Sequence, residues 1–201
     1  MKHIPKSNTS DCDLLTFDEA LVASQRINDA YDVNKWIYVP PFYSEYRYVL
    51  GTRGSNPLIV IGVNPSTAAP DALDPTLESA QRIAHFNGYD SFWMMNVYAQ
   101  RATDPEDMER ESNDFLQQQN LLAFEKLLSL SPTKNVWCAW GNVIDKRKFL
   151  KNCVSDIVNA GNKLGANWFQ AEKTCKSGNP HHPLYLKAET KLMPYVPKCE
   201  V

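Results

Sequence analysis

The chain reads as an α/β protein: a three-layer α/β/α sandwich on a four-stranded, mainly parallel sheet, with an N-terminal edge strand or helix added to it. Two features predict this. Four short apolar runs, residues 58–64, 92–97, 136–140 and 168–171, each break off at polar or turn-forming residues, and helix-like sequence separates successive runs. Continuous apolar segments of that length suit strands covered on both faces, and each parallel crossover needs a helix to return to the same edge. Ligands in such sheets sit beyond the carboxyl ends of the strands. The runs therefore carry Asn64, Asn96, Gly141 and the His181–His182 pair toward one rim.

The elements follow in order. Residues 1–12 are polar, and residues 17–27 predict a short helix with Leu21 and Ile27 inward. Residues 46–50 alternate Tyr46, Tyr48 and Leu50 with Arg47 and Val49, which predicts an antiparallel edge strand, and residues 51–57 form the turn into the first central strand. Asp74-Pro75 is a helix start, an acceptor side chain before proline at the first helical position. Leu77, Ala80, Ile83, Ala84 and Phe86 recur on one face of that helix, and Gly88 stops it. The next helix is placed at 112–130 with Phe115, Leu122, Phe124, Leu127 and Leu128 facing the core. The last is placed at 143–160, ended by Gly161. The resulting order is β-α-β-α-β-α-β in a single domain, residues 1–201, with residues 1–45 as an N-terminal extension.

Composition narrows the function classes. A length of 201 residues with 43% hydrophobic content sustains one core without disulfide or metal support. A formal charge of -2 argues against a general polyanion binder, though not against a local basic patch. Cys12, Cys138, Cys153, Cys175 and Cys199 form no C-x-x-C pair, so free thiols in a reducing compartment are expected, without an iron–sulfur cluster or other cofactor. The opening residues hold no apolar signal core and no run is long enough to span a bilayer, so the expectation is a cytoplasmic protein without membrane contact.

Three segments carry candidate chemistry. In the first, residues 62–67, Gly62 permits close backbone approach, Pro65 stiffens the turn, and the Asn64 carboxamide both donates and accepts. The second is Asn96, a polar residue inside an apolar strand whose amide must be satisfied by a neighbouring loop or a ligand, followed by Tyr98 and Arg101. The third, residues 178–185, holds His181 and His182 between Pro180 and Pro183. Adjacent histidines in extended backbone point opposite ways, and no Cys, Asp or Glu stands at ligand spacing, so no metal is expected.

Together these segments resemble the uracil-DNA glycosylase superfamily. Gly62-Val63-Asn64-Pro65-Ser66 is similar to its first motif, which reads Gly-Ile-Asn-Pro-Gly in the mismatch-specific members. Met94-Met95-Asn96 resembles its Leu-Leu-Asn strand, Ala139-Trp140-Gly141 its Leu-Trp-Gly strand end, and His182-Pro183-Leu184 its His-Pro-Ser motif. A closer resemblance, over nearly the whole chain, is to the bacterial and phage family known as domain of unknown function 1643. Tyr46-Arg47-Tyr48, residues 64–68, Asp74-Pro75-Thr76, residues 101–105, Trp140-Gly141 and residues 182–185 carry it. That family usually has an Asp where this chain has Leu73, and an Arg where it has His181.

The glycosylase resemblance implies hydrolysis of an N-glycosidic bond to a pyrimidine or modified base. Asn64 would orient water, and His182 would donate to the base oxygen on which charge develops. Asn96 would pair with the base edge and Tyr98 would stack on its ring, while Gly62, Val63, Pro65, Ser66 and His181 would complete the substrate site. Ser66, at the place of a tyrosine in the uracil-specific enzymes, implies room for a substituent at carbon 5. Arg101, Lys146, Arg147, Lys148 and Lys176 could follow a phosphate backbone toward a flipped or single-stranded base. Their alternative is the solvated face of a helix. The rival readings are an enzyme of free nucleosides or nucleotides, as in phage base modification, and a non-catalytic module that binds a nucleobase or nucleic acid.

Overall fold

The apolar runs become the middle of a larger sheet. The computed structural model describes residues 2–198, so Cys199 lies outside the described residues. Its strands are β1 (Trp36–Val39), β2 (Val49–Thr52), β3 (Pro57–Gly62), β4 (Ser91–Asn96), β5 (Asn135–Cys138), β6 (Asn167–Ala171) and β7 (Leu192–Pro194). Its helices are α1 (Phe17–Ala23), α2 (Pro75–Phe86), α3 (Asp114–Leu130) and α4 (Lys148–Leu164). One sheet forms in the order β1-β2-β4-β3-β5-β6-β7. The block β4-β3-β5-β6 is parallel, whereas β1, β2 and β7 join antiparallel at its two sides. The sheet is therefore seven-stranded and mixed, which corrects the expected four-stranded, mainly parallel one. The outer strands are short, and short strands carry too little periodic signal to be read.

Side-chain alternation divides the core into two layers. Ile59 and Ile61 of β3, Trp93 and Met95 of β4, and Val136 and Cys138 of β5 face α1, α3 and α4. Leu58, Val60, Phe92, Met94 and Trp137 face Leu77, Ala80, Ile83 and Ala84 of α2. The loop after β3 thus turns to one face of the sheet, while the loops after its neighbours β4 and β5 turn to the other. A crevice opens where neighbouring loops diverge in this way, at the carboxyl ends of the strands.

Helix boundaries follow the local chemistry. Asp74 accepts a hydrogen bond from the Leu77 amide (3.0 Å) ahead of Pro75, which starts α2 where expected. The final helix runs past Gly161 to Gly165, whose left-handed φ of 79° ends it. Gly161 lies inside the helix, where the Trp168 indole occupies the space a Cβ would need, 2.4 Å away. Two inward assignments on α3 are overturned: Phe115 and Leu122 are exposed, and Leu116, Ala123, Phe124, Leu127 and Leu128 fill the core. In the N-terminal helix Leu21 packs partly buried, but the helix ends at Ala23 and Ile27 is 93% exposed. Phe86 is exposed too.

The expected edge strand at 46–50 is displaced. Tyr46 makes only an isolated bridge to Gln100. The strand proper, β2, is internal, with β1 outside it. Gly51, expected in a turn, pairs with Trp93 across β2 and β4, where a Cβ would lie 2.0 Å from the Phe92 carbonyl oxygen. Because that obstacle is backbone, it cannot rotate away. Gly51→Ala is expected to lower stability by about 2–3 kcal/mol, an overpacking cost. A shifted urea midpoint at constant slope would register it, and an unchanged midpoint would contradict this close approach.

Candidate functional site

Beyond the ends of β3 and β4, on the α2 face, lies a cavity of about 540 Å³. Its wall joins the end of β3 (Gly62, Val63, Asn64), the following loop (Ser66, Thr67), and the first turn of α2 from Asp74. Met94 and Asn96 of β4, Thr103, and the His182–Tyr185 segment close it. Three stretches far apart in sequence therefore bring Asn64, Asn96 and His182 to one space.

Each side chain is oriented by its partners. The Asn64 Nδ2 donates to the carbonyl oxygens of Ala102 (2.7 Å) and Pro65 (3.1 Å). Both neighbours are acceptors, so the nitrogen must face them, and Oδ1 is left as the acceptor the residue offers a ligand. Asn96 is 1% exposed, and its Nδ2 finds no hydrogen-bond partner among the described residues. Gly62 makes this position possible, since a Cβ there would come 2.8 Å from Asn96 Oδ1 and 2.6 Å from the Met94 methyl. A buried carboxamide with an unused donor beside a cavity is the arrangement a ligand's acceptor would complete.

His182 is seated by backbone. Gly141, at φ 61°, follows Trp140, and a Cβ on it would stand 2.9 Å from the His182 Cβ. The His182 Nδ1 accepts from the Leu184 amide at 3.3 Å, capping a short 3-10 turn, Pro183–Tyr185. An accepting Nδ1 leaves the proton of the neutral ring on Nε2, so His182 presents an N–H donor. Burial pushes its pKa down, partly opposed by the Asp74 carboxylate.

Arg47 and Asp74 are wall residues that the sequence reading did not assign to the site. Arg47 is 0% exposed; its Nη1 donates to the Ala68 carbonyl (3.1 Å), and its Nε and Nη2 have no partner among the described residues. Burial, and then the neighbouring Arg101 charge, push its pKa down to about 9, which still leaves it protonated at neutral pH. The sequence signals for Arg47 are its place between two tyrosines in an alternating segment and the Tyr46-Arg47-Tyr48 motif of the family resemblance. Asp74 reads as a helix cap and as part of the Asp74-Pro75-Thr76 motif of the same resemblance.

Other predicted residues lie elsewhere. Tyr98 is buried with its hydroxyl donating to Glu109 and accepting from the Asn113 amide (2.8 Å), so its ring is core and does not line the cavity. The Pro65 carbonyl holds Asn64 and the Ala102 amide. His181 Nδ1 sits 3.5 Å from the Cys175 Sγ, off the cavity wall. Arg101 is fully buried, donating to the carbonyls of Ser66 and Ala68 and to the Tyr38 hydroxyl (3.0 Å), with the Tyr43 ring 4.3 Å from its guanidinium carbon. Lys146 and Arg147 both pair with Glu106, at 2.7 and 3.2 Å. Lys148 and Lys176 are exposed on the surface. No group of three His, Cys, Asp or Glu side chains suited to a metal occurs among the described residues, and no described helix is long and apolar enough to cross a membrane.

The His182 environment yields a pH test. With its folded pKa below the ordinary value near 6.5, the ring contributes stability fully above that value. The contribution is lost as pH falls through the lower folded value, because the unfolded chain takes up the proton first. An NMR titration should place the His182 midpoint below 6.5 with the proton on Nε2; a midpoint above 6.5 would contradict the buried neutral ring.

No curated protein and no solved structure matches the chain. One family does, over residues 47–184, a stretch that includes Arg47, Asn64, Asp74, Asn96 and His182, and the chain therefore belongs to the family described as protein of unknown function (DUF1643).

Proposed function

We propose that the cavity binds a pyrimidine nucleobase and that the protein hydrolyses the N-glycosidic bond to it. The observation that carries this reading is the convergence of three hydrogen-bonding side chains, Asn64, Asn96 and His182, on a single cavity, with Asn64 Oδ1 left as an acceptor, Asn96 Nδ2 unpaired among the described residues and the His182 proton on Nε2. A pyrimidine edge presents carbonyl oxygens to such donors, and the buried Asn96 amide discriminates because a base lacking the matching acceptor leaves it unpaired. The resemblance of the segments around Asn64, Asn96 and His182 to motifs of the uracil-DNA glycosylase superfamily supports the reading.

The chemistry follows from the charges. Cleavage builds positive charge on the sugar and negative charge on the departing base. A neutral His182 gains more by donating to an oxygen that becomes anionic than to the ground-state carbonyl, and one such donor contributes about 3 kcal/mol. Asn64 is a poor base but a good orienter: held by two backbone carbonyls, its Oδ1 accepts from a water and directs the water's lone pair at the sugar carbon, and the proton that water gives up neutralises the departing base anion. Ser66, which hydrogen-bonds Thr103 at 2.9 Å, leaves the wall small where a 5-substituent would stand.

The natural chain and two variants test this. Calorimetric titration with uracil, thymine and larger 5-substituted pyrimidines should show binding of the substituted bases, and failure of all of them alike would remove the pyrimidine reading. In Asn96→Ala, affinity should fall at least about tenfold, consistent with one buried hydrogen bond of about 1.5 kcal/mol, while stability changes little, because its amide nitrogen makes no protein bond. Asn64→Ala should cut base release by about a hundredfold with binding nearly retained. Release unchanged in that variant would leave a binding module only.

A further inference from the structure

Arg47 is a charged side chain enclosed in the cavity wall with most of its hydrogen-bonding capacity unspent. A guanidinium has five N–H donors; the contact to the Ala68 carbonyl uses one, and Nε and Nη2 have no partner among the described residues. No carboxylate stands within ion-pair distance of Arg47 or of buried Arg101 among the described residues. Asp74 acts on both only through its field, while caping α2 with one oxygen. Two adjacent cations inside a protein are costly unless an anion accompanies them.

The ligand's size and reach point the same way. A cavity of about 540 Å³ lies within the range that takes a drug-sized ligand and so exceeds the needs of a lone base. The first turn of α2 also opens on it, adding the positive end of a helix of 12 residues to the same wall. Paired N–H donors of a guanidinium match the oxygens of a phosphate. The surface basic residues give a strand little help, since Lys146 and Arg147 are already paired with Glu106.

We propose that Arg47 forms an oxyanion subsite in this cavity and that the ligand is a nucleoside monophosphate, its terminal phosphate on Arg47 and its base among Asn64, Asn96 and His182. The identity of the base end rests on the pyrimidine reading above; the anion subsite rests on Arg47 itself.

The test compares, by calorimetry on the full chain, a pyrimidine nucleoside, its 5′-monophosphate, the same nucleoside with a carboxylate in place of the phosphate, and a single-stranded oligonucleotide. The monophosphate should bind at least about thirtyfold tighter than the nucleoside, and inorganic phosphate should compete with it. In Arg47→Gln that ratio should fall below about threefold, with Arg47→Lys intermediate. If a variant fails to fold, the ratio in the natural chain and the phosphate competition decide. Equal affinity for nucleoside and monophosphate would overturn the subsite while sparing the base pocket. Phosphate binding that depends on Arg47, with no affinity for any nucleoside, would overturn the base pocket while sparing the subsite. Tighter binding of the carboxylate or of the oligonucleotide would overturn the terminal phosphate.

Discussion

The Ala68 carbonyl accepts hydrogen bonds from two buried guanidiniums, Arg47 Nη1 at 3.1 Å and Arg101 Nη1 at 3.2 Å, and the geometry of the site depends on that junction. Arg101 also holds the Ser66 carbonyl, so the segment that leaves β3 is fixed at two successive points. Its preceding residue, Pro65, takes the Ala102 amide at 2.9 Å, and Asn64 reaches the Ala102 carbonyl. The loops after β3 and β4 are thereby stitched together over the crevice their divergence creates. Placing two like charges in a low-dielectric interior costs several kcal/mol per ion after relaxation. Carbonyl dipoles, the Tyr38 hydroxyl and the Tyr43 ring offset part of that for Arg101. Arg47 has the Ala68 carbonyl as its one hydrogen-bond partner among the described residues, and that imbalance separates an anchoring arginine from one in a cavity wall.

That stitching also sets the polarity of the wall. Two backbone carbonyls turn the Asn64 amide nitrogen inward and leave its oxygen for a ligand. One backbone amide, that of Leu184, claims the His182 Nδ1 and leaves Nε2–H. Backbone groups cannot titrate or rotate away, so both choices are held without any charged partner. Asn96 is arranged differently. Its backbone carbonyl accepts from the Asn120 side chain at 2.9 Å, which fixes the main chain and leaves the side-chain amide nitrogen unpaired. Donor and acceptor positions that the protein itself does not use are the form specificity takes before a ligand arrives.

How far the sequence disclosed this depends on which forces each residue answers to. The runs that became β3, β4, β5 and β6 were legible because a strand buried on both faces must be apolar throughout. The α2 start was legible because Asp74 and Pro75 act locally. By contrast, α3 is legible only in part: Phe124, Leu127 and Leu128 face inward as expected, but Phe115 and Leu122 do not, and the buried face includes Gln119, which accepts from the Phe17 amide at 2.8 Å, and Asn120. Polar residues that serve distant backbone look like solvent-facing ones, so hydropathy favoured the neighbouring stripe with Phe115 and Leu122. Gly161 reads as a stop because nothing in its neighbours announces that Trp168 will lie on it.

Arg47 shows the same limit at the site itself. Its alternation with Tyr46 and Tyr48 correctly put it on the opposite face of the chain, for both tyrosines join the layer under α1 and α3. An arginine on the far face of a two-sided strand is ordinarily solvated. Here that face is roofed by the loop carrying Ala68 and by the start of α2, neither of which is near Arg47 in sequence. Periodicity tells which side of a sheet a residue occupies, but only the crossover connections decide whether that side is water or interior. The most informative charges of a doubly covered sheet are accordingly those that a local reading assigns to the surface. In this chain the helix over that face also contributes its first turn to the cavity, so one crossover both hides the cation and shapes what can reach it.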